Sequence, residues 1–452
     1  MPARLKVIVD MSDVALIYPY FRTRARDEML FHPLGIAQLT ASLRRDGLDV
    51  LVADCTFGQK NDVLDRVIAA RPKIVGIYVM VSMSDNALAL AKTLRQRLPD
   101  AILVCGGPLP TLRPERFARG FDVVFRGEAA DAFPRFCADY VGASPSKSAL
   151  TRLCENAQPY PGLYCECPYD GPTFESDPQR LDETGLNTLP LPDRSDYHHD
   201  SYQQSWTQKQ MFPISSIMTS YGCPCTCDFC SKPIFGNLFR RRDLDRIMEE
   251  IRDIKRWGYS GLWIGDDCFT FDMEHVRGFC ARLIREQLEM RWTCLSRADT
   301  ISAEEVELMR EAGCEKVYFG LESGSNEVLK LMKKDTTVEG AERTVRLFSR
   351  SGIRTAGFFI VGYPGETHET IERTFAWALS LPLDEISFTV PYPLPGTGLF
   401  EKVREVEADS DWKHENENRF VYQSAFDQEF LKQRIEETYA QFESNRKAVA
   451  HL

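Results

Sequence analysis

The 452-residue sequence has no long apolar run and no excess of positive charge. No stretch approaches the roughly 18 consecutive apolar residues that a membrane-spanning helix needs, so we expect no membrane span. Lys and Arg number 55 against 66 Asp and Glu, a net charge of -11, which argues against a nucleic-acid-binding protein. No small-residue cleavage pattern follows the short apolar N-terminal stretch, so we predict no signal peptide and a cytoplasmic protein.

Two common phosphate-binding motifs are also missing. Neither G-x-G-x-x-G nor G-x-x-x-x-G-K-[ST] occurs, so a dinucleotide or nucleoside triphosphate site lacks its usual support. Tandem repeats and low-complexity tracts are absent as well. The sequence does contain 14 cysteines, and in an unexported chain these indicate free thiols, metal ligands or catalytic groups rather than disulfides.

The first part of the chain alternates short β-branched runs with amphipathic helical patterns. Strands such as DVLVADC and IVGIYVMV alternate with helices such as PLGIAQLTASLRRDG, which is typical of a parallel sheet covered by helices. We therefore predict an α/β fold with a doubly wound, Rossmann-like domain over residues 1–142. Ligands of such sheets bind beyond the carboxyl ends of the strands. The residues at these ends are Asp54, Thr56, Ser82, Ser84, Gly106, Gly107, Gly127 and Glu128.

A second alternation follows a stretch with scattered Pro and Gly. We interpret residues 143–205 as an inter-domain connection. Residues 206–400 show six βα-like units in a row, which predicts a partial (β/α)6 TIM barrel, two units short of the usual eight. Barrel chemistry belongs at the carboxyl ends of the strands. Residues 401–452 form a short, mostly charged helical segment.

Three cysteines directly follow the first barrel strand. In TSYGCPCTCDFCSKPIFG, Cys223, Cys227 and Cys230 form a C-x-x-x-C-x-x-C arrangement. Thiolates suit iron-sulfur clusters, and three ligands on a four-iron cluster leave one iron without a protein ligand. The alternatives are ordinary buried thiols and a structural zinc site, which needs four ligands and could recruit Cys225.

These motifs resemble those of the radical S-adenosylmethionine (radical SAM) superfamily. GCPCTCDFCSKPIFG, IGDDCFTFD, GLESGSNEVLKLMKKDTT, GFFIVGYPGET and PYPLPGT are similar to stretches of the subgroup with an N-terminal cobalamin-binding domain, which includes the anaerobic magnesium-protoporphyrin monomethyl ester cyclase. PLGIAQLTASLRRDG, CGGPLPT and VVFRGEAAD extend the resemblance over the first domain. It implies a 4Fe-4S cluster, S-adenosylmethionine, cobalamin, a small-molecule substrate and an external electron donor such as flavodoxin or ferredoxin.

The resemblance also implies roles for residues at the barrel strand ends. The three cysteines hold the cluster, whose open iron binds S-adenosylmethionine, and cleavage of that cofactor gives a 5'-deoxyadenosyl radical. Arg297 is suited to this cofactor, because an Arg pairs well with a carboxylate. Alternatively, Asp266 or Asp267 caps the next helix, and Arg297 pairs with Glu322. The residues implied for S-adenosylmethionine are Phe229, Asp266, Asp267, Ser296, Arg297 and Glu322.

For cobalamin, the resemblance points to the strand ends of the first domain. Methyl-transferring cobalamin proteins often carry D-x-H-x-x-G, with the His as lower cobalt ligand. Here Leu30 replaces the Asp before His32 and Gly35, and a ligating His usually needs such a partner. His32 is therefore either the ligand or a packed loop histidine. The residues implied for cobalamin are Thr56, Ser82, Gly106, Gly107, Gly127 and Glu128.

Three functions remain at this point. The first is methylation of an unactivated carbon of a small molecule or natural product, with methylcobalamin as methyl donor. The second is a radical cyclisation or rearrangement on the same scaffold. The third is a non-catalytic iron-sulfur or cobalamin sensor.

Overall fold

Alternating strands and helices make up most of the described chain. The computed structural model describes residues 12–21, 30–166, 172–208, 211–232, 234–298, 301–403 and 419–450. The chain divides into two units, residues 1–213 with 233–235, and residues 214–232 with 236–452. None of the helices in these ranges is both long and apolar enough to cross a membrane.

The first unit contains the following strands and helices. Its strands are β1 (Val14–Tyr18), β2 (Val50–Asp54), β3 (Ile74–Tyr78), β4 (Ile102–Gly106), β5 (Val123–Phe125), β6 (Leu163–Glu166) and β7 (Thr173–Glu175). Its helices are α1 (Leu34–Arg45), α2 (Lys60–Ala70), α3 (Ser84–Arg97), α4 (Pro108–Leu112), α5 (Pro114–Ala118), α6 (Ala132–Gly142), α7 (Lys147–Glu155), α8 (Glu183–Thr188) and α9 (His199–Thr207), with a 3-10 turn at Val81–Met83.

The described strands of this unit form one sheet in the order β2-β1-β3-β4-β5-β6-β7. Strands β1 to β5 pair in parallel, and their apolar runs are buried because helices cover both faces. Helix α1 ends before Gly47, whose φ of +81° suits a glycine at a helix C-terminus. These features confirm the predicted doubly wound α/β architecture.

The segment 143–205, which we predicted as a connection, contributes to this sheet. β6 pairs antiparallel with β5, and β7 pairs antiparallel with β6. Helix α9 also packs into the unit, because Trp206 is 1% exposed and its indole N–H donates to the Leu30 carbonyl at 2.9 Å. The Pro and Gly residues around these short elements gave the segment the pattern of a loop.

The second unit contains the following strands and helices. Its strands are β8 (Ile214–Ile217), β9 (Ser220–Tyr221), β10 (Arg240–Arg241), β11 (Gly261–Ile264), β12 (Arg291–Arg297), β13 (Cys314–Glu322), β14 (Arg354–Ile360) and β15 (Glu385–Thr389). Its helices are α10 (Leu244–Arg256), α11 (Met273–Arg285), α12 (Ala303–Glu311), α13 (Asn326–Leu331), α14 (Val338–Ser351), α15 (His368–Ser380), α16 (Gly398–Lys402) and α17 (Gln428–Ala450), with a 3-10 turn at Phe269–Phe271.

Six parallel strands of the described chain form the main sheet of this unit, in the order β15-β14-β13-β12-β11-β8. This confirms the predicted six-unit barrel. On β13, the side chains of Val317, Phe319 and Leu321 are fully buried in the core shared with the helices. Because side chains alternate along a strand, Lys316 and Tyr318 lie on the opposite, barrel-facing side.

Candidate active site

The three cysteines lie in a loop between the two strands of an antiparallel ribbon, β9 and β10. Cys223 donates its backbone N–H to the Gly236 carbonyl at 3.1 Å, and Cys230 donates its own to Cys227 at 3.2 Å. The Lys232 ammonium donates to the Cys223 carbonyl at 2.8 Å and also to that of Cys225. These bonds shape a loop in which the Cys223 thiol is buried, Cys227 is half-buried and Cys230 is exposed.

Asp266 fixes the chain just before this loop. Its Oδ1 accepts the Thr219 backbone N–H at 2.7 Å, and its Oδ2 accepts the hydroxyls of Thr219 and Ser220, both at 2.6 Å. Burial raises the pKa of the carboxyl, although these hydrogen bonds act in the opposite direction. We had assigned Asp266 to S-adenosylmethionine, but with 0% exposure it supports the cluster loop instead of facing a ligand.

A second buried group holds the same stretch of chain. The Arg242 guanidinium donates to the Met218 carbonyl at 2.6 Å and pairs with Glu250 at 2.7 Å. Both partners of this ion pair are buried, with side-chain exposures of 9% and 0%. The entry to the cysteine loop is therefore held from both sides, by a carboxylate and by a guanidinium.

Charged side chains surround the Cys227 thiol. Arg297, at the end of β12, places Nη1 at 3.9 Å from the Cys227 Sγ and donates through Nη2 to the Asp335 carbonyl at 2.8 Å. Burial raises the pKa of the Cys227 thiol, while Lys334 and Arg297 act to lower it. Cations beside a thiol favour the thiolate that an iron ligand requires.

Glu322, at the end of β13, pairs with a residue that the sequence did not single out. Its Oε1 lies 2.8 Å from the Lys334 ammonium, and the two side chains are 8% and 7% exposed. The expected alternative, a pair between Glu322 and Arg297, is not the contact that forms here. Lys334 follows α13 in the run LMKKDTT, where consecutive lysines gave no sign of which one is buried.

The backbone at Glu322 is strained in a way that is informative. Its φ is +61°, in the left-handed region that favours glycine, and the β13–β14 register shifts at this point. Two residues earlier, a Cβ at Gly320 would lie 2.5 Å from the Glu322 carboxylate and 2.9 Å from the Lys334 ammonium. Such backbone strain concentrates at functional sites. Here it coincides with the Glu322–Lys334 ion pair at the carboxyl end of the barrel strand.

The remaining residues predicted for S-adenosylmethionine have different surroundings. Phe229 packs against an apolar cluster that includes Met332 and Leu399. The Ser296 hydroxyl lies 2.6 Å from that of Thr270 and donates to the carbonyl of the next residue at 2.7 Å. Asp267 is exposed. The alternative that Asp266 or Asp267 caps the next helix does not apply, because Asp272 caps α11.

The barrel-facing side of the sheet carries three aromatic rings. The Tyr318 ring lies 5.2 Å from that of Trp263 and stacks on that of Phe358 at 5.6 Å. Phe358 pairs in register with Gly320, which pairs with Arg297. The rings therefore form an apolar wall in the barrel at and below the level of Arg297.

The cysteine loop fits an iron-sulfur cluster. Thiolates suit iron-sulfur clusters, and three cysteine ligands leave one iron of a four-iron cluster without a protein ligand. Cys223, Cys227 and Cys230, with Arg297 and Lys334 near the Cys227 thiol, match that donor set.

In the first unit, the predicted cobalamin residues divide into occupied and open groups. The Thr56 hydroxyl donates to Asp54 at 2.6 Å, and Glu128 accepts the Leu181 backbone N–H at 3.1 Å. Ser82 is exposed. Ser84, a strand-end residue outside the predicted cobalamin set, is 5% exposed, and its hydroxyl has no hydrogen-bond partner in the part of the chain that the structure describes. A buried hydroxyl without a partner is a natural contact for a ligand, so this strand end fits cobalamin.

The glycines at these strand ends serve the turns. Gly107 has a φ of +116°, and a Cβ there would lie 2.5 Å from the Val79 carbonyl, so only glycine fits. Gly106, before it, ends β4. Gly127 has a φ of +71° and donates its N–H to the Thr111 hydroxyl at 2.9 Å. Together these residues let two neighbouring strand ends turn sharply into the helices that follow.

His32 is a packed loop histidine in this structure. It is 4% exposed, stacks on the Tyr197 ring at 5.2 Å and meets the Tyr202 ring edge-on at 4.4 Å. Burial, followed by the charge of Arg194, holds the pKa of His32 well below its usual range. Its ring is enclosed by aromatic side chains, which favours the packing interpretation over the cobalt ligand.

Comparison with known proteins adds two domain assignments. The B12 binding domain family matches residues 24–136, and the radical SAM superfamily matches residues 217–378. The chain is 29% identical over 378 residues to an uncharacterized methyltransferase of Pyrococcus horikoshii, covering 82% of this chain and 78% of that protein. It is 26% identical to the anaerobic magnesium-protoporphyrin IX monomethyl ester cyclase of Rubrivivax gelatinosus, covering 92% of this chain and 74% of that protein.

One solved structure has a similar fold. The radical S-adenosylmethionine methyltransferase TsrM of Kitasatospora setae, with cobalamin and a [4Fe-4S] cluster bound, matches with a TM-score of 0.70 at 19% identity, over 87% of this chain and 78% of that one. At this identity the likeness concerns the fold.

Fold, cysteine loop and domain matches define this chain as a radical SAM enzyme. It also carries a B12-binding domain, and it is similar over most of its length to the cyclase named above. The predicted cofactor set of 4Fe-4S cluster, S-adenosylmethionine and cobalamin is thereby confirmed.

Proposed function

We propose that this enzyme is a cobalamin-dependent methyltransferase that methylates an unactivated carbon of a small-molecule substrate. The observation that carries the proposal is the match to an uncharacterized methyltransferase over 82% of this chain and 78% of that protein. The buried Ser84 hydroxyl, which has no hydrogen-bond partner among the described residues, supports a ligand at the strand ends of the first unit. An external donor such as flavodoxin or ferredoxin supplies the electron.

The cofactors are assigned to the following residues. Cys223, Cys227 and Cys230 hold the cluster. Arg297, beside Cys227, pairs with the carboxylate of S-adenosylmethionine, because a guanidinium matches a carboxylate in two parallel hydrogen bonds. Glu322, held by Lys334, offers its second carboxylate oxygen to an ammonium or to ribose hydroxyls.

The protein's part in the reaction is positioning and shielding. When bound, the cluster with S-adenosylmethionine supplies a carbon-centred radical and cobalamin supplies a methyl group. The Glu322–Lys334 pair fixes the carboxylate at the strand end before any ligand arrives, so less ordering is needed on binding. The rings of Trp263, Tyr318 and Phe358 line the barrel with apolar surface, and the Lys316 ammonium lies 4.6 Å from the centre of the Tyr318 ring. The apolar part of this lining limits water beside a reactive radical.

A radical cyclase or rearrangement enzyme is the second candidate. The match to the magnesium-protoporphyrin cyclase extends over 92% of this chain, which is the observation in its favour. The third hypothesis, a non-catalytic sensor, conflicts with the assignment of the chain to the radical SAM enzymes.

Anaerobic reconstitution tests the proposal. The protein is loaded with iron, sulfide and cobalamin, reduced, and incubated with S-adenosylmethionine and candidate substrates. Carbon methylation is expected to give both 5'-deoxyadenosine and S-adenosylhomocysteine. Deoxyadenosine alone would indicate the cyclase, and the absence of both products would contradict both candidates. Cys223→Ala is expected to lose the cluster. Cys225→Ala is the matched control, because Cys225 lies in the same loop and has no assigned ligand role, and it is expected to keep the cluster.

A further inference from the structure

One acidic side chain inside the cysteine loop is buried among partners from distant parts of the chain. Asp228 directly follows Cys227, and its side chain is 1% exposed. Its Oδ2 accepts the Tyr363 hydroxyl at 2.7 Å and the Lys402 ammonium at 2.6 Å. A second ammonium, that of Lys333, lies 3.2 Å from Oδ1. A buried carboxylate with two cations and a hydroxyl is a costly arrangement that needs all its partners.

The backbone of the same residue joins the same segments. Asp228 donates its N–H to the Met332 carbonyl at 2.8 Å, and its carbonyl accepts the Leu399 N–H at 2.9 Å. Met332 follows α13, and Leu399 lies in α16. The side chain and the backbone of one residue therefore tie the cysteine loop to two separate helices and to the turn after β14.

The space around the carboxylate is shaped to receive it. A Cβ at Gly398, the first residue of α16, would lie 2.1 Å from the Asp228 Oδ1, so glycine is required there while the carboxylate keeps its place. The surrounding cluster of Val328, Met332, Ile360, Tyr363 and Leu399 is apolar and buried. Hydrogen bonds and ion pairs are stronger in such surroundings than in water.

We infer that Asp228 is a positioning residue for the cluster, a latch that ties the cysteine loop to α16 and Tyr363. This inference rests on the proposed assignment of Cys223, Cys227 and Cys230 as cluster ligands. Asp228 acts through its neighbour Cys227 and need not touch the cluster itself. With the latch intact the thiolates keep one geometry, and without it the loop becomes free to move away from the irons.

Asp228→Asn and Gly398→Ala distinguish the charge of the Asp228 carboxylate from its position. Asp228→Asn removes the charge and with it the ion pairs to Lys402 and Lys333. Gly398→Ala keeps every charge but forces the carboxylate from its place. Lys402→Met weakens the latch from the other side and serves if Asp228→Asn fails to fold. Glu372→Gln, on the exposed face of α15 where Glu372 pairs with Arg434, is the matched control for loss of an ion pair.

The readouts are those of the cluster, measured on the full-length protein after anaerobic reconstitution. They are the rate of iron release to a ferrous chelator and the electron paramagnetic resonance spectrum of the reduced cluster with and without S-adenosylmethionine. Loss of a hydrogen bond to a charged group is expected to speed iron release roughly tenfold in Asp228→Asn and Gly398→Ala. Lys402→Met is expected to act in the same direction, and Glu372→Gln to match the wild type.

Three results would overturn the inference. Wild-type release rates and spectra in Asp228→Asn and Gly398→Ala would refute the latch. A change in Asp228→Asn without one in Gly398→Ala would assign the effect to charge alone. If Asp228→Asn does not fold, a wild-type rate in both Lys402→Met and Gly398→Ala would refute it. Failure of the ligand assignment looks different, because single Cys→Ala variants at 223, 227 and 230 would then keep a full cluster.

Discussion

Replacement of Lys334 by Met tests how the strand-end carboxylate is held. The ammonium lies 2.8 Å from Glu322, with side-chain exposures of 7% and 8%, so the variant leaves a buried carboxylate without its cation. Removing one partner of a buried ion pair costs about 3–5 kcal/mol. For a domain of about 150–250 residues each kcal/mol lowers the Tm by about 2–4 °C, so we expect a loss of roughly 10 °C.

The assay is thermal unfolding of the cofactor-free protein, followed by circular dichroism. Lys316→Met is the matched control. Lys316 is a buried lysine on β13, the strand that ends at Glu322, and it also has a carboxylate at 2.8 Å. Its partner Glu385 has a side chain that is 49% exposed, so water can solvate it after the change, and we expect a loss of about 1 kcal/mol or less. The double variant Glu322→Gln with Lys334→Met should recover most of the lost stability, because it leaves no unpaired charge.

The reasoning fails if Lys334→Met melts within about 2 °C of the wild type, or if Lys316→Met loses more. It also fails if the double variant is no more stable than Lys334→Met. A small loss in Lys334→Met, or a double variant without recovery, would mean that Glu322 finds water or another cation in the absence of Lys334. The Glu322–Lys334 ion pair would then not be a fixed part of the site.

Two further predictions concern buried groups. Ser84→Ala should weaken cobalamin binding about tenfold in an absorbance titration, because it removes a hydroxyl that the described chain leaves for a ligand. Ser42→Ala, at a buried partnerless hydroxyl in α1, should not, and an equal loss in both would refute the contact. Burial raises the pKa of Glu366 from 4.5 to about 7, so the folded state binds the carboxyl proton more tightly than the unfolded state. The free energy of unfolding therefore falls by roughly 3 kcal/mol as the pH rises between those two values. Glu366→Gln should reduce this fall in melting experiments from pH ~5 to pH ~8, and an unchanged slope would contradict the assignment.

The sequence allowed the architecture to be predicted because the fold is encoded locally. The parallel strands of the first unit are short, continuous apolar runs, and such runs indicate strands covered on both faces. The cysteine spacing located the cluster loop for a similar reason, since all three thiols lie within eight consecutive residues, 223–230. The segment 143–205 was harder, because β6 and β7 are short and stand among Pro and Gly.

The roles of individual polar residues depended on contacts that sequence distance conceals. Asp228 and Lys402 are 174 residues apart, and nothing near either one in the chain indicates the pair. Lys334 is 12 residues from Glu322, yet Arg297 was an equally reasonable partner from the order of strand ends. A strand-end position thus predicted where a charged residue lies but not which group it meets.

Side chains whose hydrogen-bonding atoms already have partners in the protein support the fold, and those with free atoms are the candidates for binding a ligand. Asp266 was predicted for S-adenosylmethionine, but its two oxygens already accept three hydrogen bonds and it has no exposed surface. The Thr56 hydroxyl is likewise bound to Asp54. Burying a polar group without a partner costs free energy, so such a group at a strand end, where ligands of these sheets bind, is a candidate contact for a ligand. By that criterion Ser84 is a stronger candidate for cobalamin than Thr56, although both stand at the same edge of the sheet.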